Sequence, residues 1–402
     1  MMLALKGWTS NQKHVVTASF LGWTLDAMDF FLLTFVFNDI ARDFGTTRTK
    51  VTIAVMLTLA FRPVGAFIFG RLADRYGRRP ILMLNIAVYS LFSFSTAFAQ
   101  DLTTFLVIRS LFGIGMGGVW GIGSSLSMET IRPESRGFVS GVLQSGYSFG
   151  YLLAAVVFAI VYVHVGWRGM FMVAIIPSML LIPYVWAKVP ESPTFDRSAA
   201  GTHTTLAILR NHWKLALYAI ITMMCFNFFS HGTQDFYPNF LQSKHMPPAV
   251  TGSIAIIYNI GAIIGCLIFA SLSQHFGRRR TMITAALLSM PTIWLWAFSP
   301  AVPVLVLGAF LMNLFVQGCW SVIPAHLNEL SPPGARSTFP GTVYQIGNLL
   351  ASGNLTIQAL IADSYGYGLA LGSVALFAAL AIIAMLSLGP EAHNIEMRRA
   401  PY

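Results

Sequence analysis

The stretch "GRLADRYGRR" at 70–79 returns as "SLSQHFGRRR" at 271–280, so that Gly77 is matched by Gly277 after 200 positions. A second block keeps this register. Glu129 and Arg136 of "METIRPESRG" are matched by Glu329 and Arg336 of "NELSPPGARS", again 200 apart. Two blocks in one register over half the chain length indicate a duplicated unit. Composition says what kind of unit it is. Of 402 residues, 55% are hydrophobic and 10% charged, and the mean hydropathy is +0.66. A soluble domain of this length cannot hide that much apolar surface from water, so the fold's solvent is a bilayer.

A span needs about 20 apolar residues. Dividing the chain at charged or Pro/Gly breaks gives twelve: 15–39, 51–71, 80–99, 102–126, 138–163, 167–188, 213–238, 250–273, 281–299, 302–326, 337–362 and 366–388. The chain thus reads as an all-α membrane protein with twelve transmembrane helices in two six-helix halves, 1–188 and 213–402, joined by a polar linker at 189–212. An even number of helices per copy orients the two halves in parallel. No segment is large enough for a soluble catalytic domain, and the first apolar run is too long for a cleavable signal peptide.

The net charge of +10 raises the question of an anionic partner. Most of the 25 Lys and Arg fall on the N-terminal side of the expected bilayer, with Arg42, Arg48, Lys50, Arg168 and Lys244 opposite and Arg62 and Arg109 within spans. By the positive-inside rule both termini are cytoplasmic, and the basic balance is topology rather than a nucleic-acid surface. Compact termini favour a bacterial inner membrane, and a monomer is the expected state. Cys225, Cys266 and Cys319 lie in separate apolar spans without metal-ligand spacing, as packing residues do.

An ionisable group near the middle of a span costs about 2.5–3.5 kcal/mol on insertion scales, which makes each a functional candidate. Asp26 and Asp29 share a face of the first span, Arg62 lies in the second, Arg109 in the fourth, and His231 and Asp235 in the seventh. Asn227, Ser230, His231, Gln234 and Asp235 follow one helical stripe, which must face protein or a wet cavity. The first and seventh spans are equivalent in the repeat, so both acidic groups are expected at the interface between halves. Arg62 needs an anion, supplied either by a fixed acid such as Asp29 or, as the favoured reading, by a substrate carboxylate held bidentately. Gln144, Tyr147, Tyr151, Asn313, Gln317, Gln345 and Asn348 would complete a polar lining, although neutral polar groups also simply join membrane helices. His231 and Asp235 offer only two metal ligands, so no metal site is expected. An enzyme is excluded for want of a nucleophile with a base, a phosphate loop or a metal cluster.

"GRLADRYGRR" resembles the loop between the second and third helices of the major facilitator superfamily, and "RSLFGIGMGG" at 109–118 is similar to its fourth-helix pattern. The resemblance implies a gate or latch at the cytoplasmic face built on Gly70, Asp74, Gly77, Arg78, Glu129 and Arg136, with Arg109 among the gating residues. The second loop copy departs from the pattern, with Gln274 where Asp74 stands. For Gly113, Gly115 and Gly117 the simplest role is close helix approach.

Within that superfamily "NFFSHGTQD" resembles the seventh-helix motif of the lactate and pyruvate permeases in the sialate:proton symporter family. Asn227, Ser230, His231, Thr233, Gln234 and Asp235 fit, and Asn239 replaces the motif's final Thr. "GWTLDAMDFF" and "YQIGNLLAS" are similar to the family's first and eleventh helices. The resemblance implies symport of a small monocarboxylate with a proton, the proton being the coupling ion and no cofactor being needed. On this reading Arg62 holds the carboxylate, with Asn227, His231, Gln234, Gln345 and Asn348 in the substrate site. Asp26, Asp29, His231 and Asp235 are the candidates for the proton. The alternatives are a symporter for another organic acid, sialate or an aromatic carboxylate, and a nutrient sensor that binds without turnover.

Overall fold

The computed structural model describes residues 7–195 and 205–397. Residues 196–204 of the expected linker and both chain ends, including the termini placed in the cytoplasm above, lie outside the described residues.

The first half runs α1 Ser10–Phe35, α2 Arg48–Tyr76, α3 Arg78–Thr96, α4 Leu102–Thr130 and α5 Arg136–Val157. A π-helical turn, Phe158–Tyr162, prolongs α5 to Gly166, where a backbone of φ 64° and ψ −173° breaks it. The sixth span, α6, is 167–188. The second half repeats the order with α7 Trp213–Gln234, α8 Pro248–Phe276, α9 Arg278–Ile293, α10 Val302–Trp320, α11 Thr338–Leu350 and α12 Tyr367–Leu388. After short breaks α10 resumes as Ile323–Leu330 and α11 as Asn354–Tyr365. The protein is therefore all-α, with twelve spans in the arrangement expected. By length and composition alone, nine helices among the described residues qualify as membrane-crossing. The difference arises because 133–188 is one run until Gly166 divides it, α11 is split into two short pieces, and α3 opens on two arginines.

The helices outrun the apolar segments, α2 reaching Tyr76 and α4 Thr130. Side-chain caps mark two of the helix starts. Thr9 and Gln12 form a capping box before α1, and Asp101 Oδ1 accepts from the Thr104 amide at 2.9 Å before α4.

In lipid, helices associate by close packing rather than by expelling water. The α2/α4 contact shows this: a β-carbon on Gly117 would stand 2.0 Å from the Arg62 carbonyl oxygen, and one on Gly113 2.3 Å from that of Thr58. Gly115 admits the backbone of Tyr89 in α3 in the same way. The second half copies the device with Gly265 against Leu314. Large apolar side chains such as Leu180, Phe377 and Leu388 point outward, toward lipid. The halves meet through α2 with α11 and α5 with α8, whereas α1 and α7 are not a packed pair.

Candidate functional site

The face that carries the α2–α3 and α8–α9 turns holds the two halves together. Asp74 accepts from the Ser337 amide at 2.9 Å, the Thr338 amide at 3.0 Å and the Thr338 hydroxyl at 2.7 Å. An acid of the first half thereby caps the first turn of α11 in the second. Arg78 lies 3.3 Å from Asp74 and 3.0 Å from Glu129. Arg136 crosses to Glu329 at 3.5 Å, and Glu329 is also held by Arg278 at 3.0 Å. Gly70 permits the contact, since a β-carbon there would stand 2.7 Å from the Thr338 Cα. Gly77, at φ 106°, turns the chain between α2 and α3. Gln274, where the pattern departs, still accepts from the Gly137 amide at 3.0 Å, a cross-half bond without the charge.

Sequence reasoning missed two members of this face. Glu191 accepts from the Arg78 and Arg79 amides at 2.8 and 3.2 Å, and Glu391 from those of Arg278 and Arg279 at 3.1 Å each. Each carboxylate caps the helix that follows a loop arginine. The signal was present: Pro190-Glu191 and Pro390-Glu391 keep the 200-residue register.

Arg109 is not part of this latch. It lies 20 residues before Glu129 on the same helix, about 30 Å away at ~1.5 Å per residue. Its guanidinium sits 4.1 Å from the Phe112 ring centroid and has no hydrogen-bond partner. It faces Asp29 and Asp26.

The expectation that both acidic groups gather at the interface of the halves needs one correction. Asp26 and Asp29 are fully buried and face charges and hydroxyls within the first half, Asp29 toward Arg109 and Asp26 between Arg62 and Arg109. The Asp26 carboxylate has no hydrogen-bond partner, and Asp29 has the Ser93 hydroxyl beside it. Asp235 is the C-cap of α7, with 46% of its side chain exposed, and lies within the apolar run Trp213–Ser243. The helix ends there because the chain turns into a short second piece, Tyr237–Ser243.

At mid-depth, Arg62 is buried with its Nη2 3.5 Å from the Tyr344 hydroxyl and its guanidinium 5.6 Å from that ring's centroid. Among the described residues no carboxylate lies within ion-pair distance of it. Tyr344 of α11 stands between Trp120 of α4, at 4.8 Å between centroids, and Trp320 of α10, at 5.3 Å. These aromatic neighbours were not singled out from the sequence, because a ring in an apolar run carries no distinguishing signal. Trp120 Nε1 donates to Gln144 at 3.4 Å. Gln345, beside Tyr344, is fully buried with neither amide atom partnered.

His231 bridges α7 to α11: Nδ1 is 3.0 Å from Asp235 Oδ2 and Nε2 is 3.1 Å from Asn348 Oδ1. Both ring nitrogens face oxygen, so this arrangement suits a doubly protonated imidazole, or a neutral one beside a protonated Asp235. Rotating the Asn348 amide would put its NH2 on Nε2 and suit a neutral ring beside an ionised acid. The cluster accommodates either proton count by turning one amide. Gln234 is tied to Ser230 and Asn313, each at 3.2 Å, leaving its carbonyl end for other contacts. Asn227 is not brought into the cluster through its amide, which bonds back to the Met223 carbonyl at 2.7 Å.

The general model of the major facilitator superfamily matches residues 19–237. The chain belongs to this superfamily. A second model, for sugar and other transporters, matches 204–392. This facilitator is 26% identical over 400 residues, 97% of its length and 93% of the relative's, to a probable 4-methylmuconolactone transporter of Cupriavidus pinatubonensis. It is 26% identical to the sialic acid transporter NanX of Escherichia coli over 386 residues, covering 92% of this chain and 93% of that one. The fold superposes on the proton:xylose symporter XylE with a TM-score of 0.77 at 16% identity, over 96% and 97% of the two chains. The facilitator is a multi-pass membrane transporter and not an enzyme.

Proposed function

We propose that this facilitator is a proton-coupled symporter for a small organic monocarboxylate, working by alternating access. The observation that carries this is Arg62. Its guanidinium is buried and makes no ion pair, Asp26 reaching it only electrostatically, so a visiting anion would complete its pairing, and it lies against Tyr344 where the halves meet. Within this class the α7 pattern implies lactate and pyruvate. The relatives, described as carrying 4-methylmuconolactone and sialic acid, support a second reading, a larger organic acid.

In the mechanism, Arg62 takes the carboxylate while Gln345 and Asn348 supply polar groups for a carbonyl or hydroxyl. The His231–Asp235–Asn348 cluster takes a proton when it faces the source side and loses it on the other, with the buried Asp26 and Asp29 as a second station in the first half. Reading the latched face as cytoplasmic, in a bacterial inner membrane with both termini inside, makes the described conformation the one closed to the cytoplasm. A monomer suffices, since the whole route lies between the halves of one chain. No cofactor is required. The test is uptake of labelled L-lactate into proteoliposomes with an inward proton gradient and with the gradient collapsed. Accumulation that vanishes with the gradient supports the reading. Uptake that ignores the gradient refutes coupling, and failure to move any organic acid in a panel refutes the class.

A further inference from the structure

The chain that follows α12 crosses the latched face toward the first half. Glu391 caps α9. His393 Nε2 then donates to the Gln274 carbonyl at 2.8 Å, and Asn394 Oδ1 accepts from the Gln274 side-chain amide at 2.6 Å. Asn394 takes a left-handed backbone, φ 58°, which asparagine adopts more readily than most residues. Beyond this turn the chain meets the first half, where Arg136 of α5 donates to the Ile395 carbonyl. Arg336 holds the Met397 carbonyl at 3.2 Å. The Met397 side chain, 5% exposed, is buried with Val16 of α1, Met128 of α4, and Val139 and Leu143 of α5. A residue that follows the last span of the second half is thus a core residue of the first.

Gln274 explains why the crossing starts here. In the first half Asp74 uses both oxygens to accept from the opposite half. Gln274, at the equivalent place, keeps one acceptor, which takes the Gly137 amide of the first half and the Arg278 guanidinium, each at 3.0 Å. Its NH2 is a donor that aspartate lacks, and that donor holds Asn394. The first-half copy of the segment behaves differently. After Glu191, Ser192 donates to Glu129 and Phe195 lies over the Arg78 guanidinium at 5.7 Å, both contacts within its own half.

We propose that the segment from Glu391 to Met397 is a strap that closes the latched face where the second acid is missing, and that it must peel off the first half each time this face opens. The bonds to Gln274 and Arg336 keep the strap on the second half, whereas Arg136 and the apolar seat of Met397 belong to the first. Parting the halves breaks these last two contacts and exposes the methionine to water, so the strap stabilises the latched state. It acts on opening whatever the substrate is, and so stands apart from the carboxylate reading above.

Spin labels at Tyr76→Cys and Phe276→Cys, at the exposed ends of α2 and α8, read opening by pulsed distance measurement in the full chain. Asn394→Pro, whose ring fixes φ near about −65°, and Met397→Asp, which puts a carboxylate in the apolar seat, should each enlarge the long-distance population about fivefold or more. Met397→Cys is the second readout, against a background of three buried native thiols. Its thiol should react with a maleimide about tenfold more slowly than that of Tyr76→Cys, and adding Asp74→Asn should speed it. Distances unchanged in both strap variants, or a Met397→Cys thiol as reactive as that of Tyr76→Cys, overturns the proposal. Where one strap variant fails to fold, the other and the thiol readout decide it.

Discussion

Replacing Asp74 with Asn should release the latch. In the closed face its two oxygens take three donors from Ser337 and Thr338 across the halves, with Arg78 3.3 Å away. An amide keeps one acceptor, turns an NH2 toward donors on the other side, and removes the charge. At least one hydrogen bond to an ionised group is lost from the latched state, about 1.5–3 kcal/mol, while the released state loses little because either side chain there is hydrated. The equilibrium should therefore move roughly ten- to hundredfold toward opening at this face. Spin labels at Tyr76→Cys and Phe276→Cys, exposed equivalents at the ends of α2 and α8, would report it by pulsed distance measurement, because the three native thiols are buried. A longer-distance population should grow in Asp74→Asn. Gly70→Ala should act in the same direction through different physics, by pressing a methyl group onto the Thr338 backbone. A distance distribution identical to wild type in both variants would refute the latch reasoning.

Arg62→Lys keeps the charge but loses the planar fork, so half-saturation by the transported carboxylate should rise at least tenfold in uptake kinetics; an unchanged value would place the carboxylate elsewhere. Asp235→Asn should abolish uphill accumulation while exchange down a substrate gradient persists, and Asp29→Asn tests the second proton station in the same assay. Proton-driven accumulation surviving in both would remove these acids from coupling. Asp101 caps α4, and the Thr104 amide and hydroxyl hold its carboxyl below the usual carboxylate range. A group depressed in the folded state contributes stability that is complete above its unfolded value, near ~3.9, and is lost as pH falls through the lower folded one. Melting of Asp101→Ala should thus fall below wild type at neutral pH, and the gap should narrow in acid below about pH 4.

The latch residues were legible through the resemblance of their loop to the superfamily motif; the 200-residue register repeats Arg78, Glu129 and Arg136 but not Gly70 or Asp74, whose places hold Ala270 and Gln274. The α7 stripe was legible for a different reason: helical spacing puts Ser230, His231 and Gln234 on one face whatever the neighbours are. The partners of that face were not legible. The His231 bridge to Asn348 joins positions 117 apart, and the frame of Trp120, Tyr344 and Trp320 gathers three ordinary aromatic residues from three helices. That α7 ends at Asp235 was not legible either, because apolar residues continue past it, although the helix does not.

Apolar run length, charge asymmetry and internal register by themselves determine a membrane protein of two parallel six-helix halves, since each is a property of positions along one chain and the bilayer imposes the rest. Only the tertiary structure decides that Asp29 faces Arg109 and Asp26 lies between Arg62 and Arg109 inside one half, and that Arg62 lies against Tyr344 without an ion pair. Those choices depend on how each helix is rotated against its neighbours, and that rotation is settled by close packing at residues such as Gly117 and Gly70 together with the few ion pairs and hydrogen bonds that join the halves.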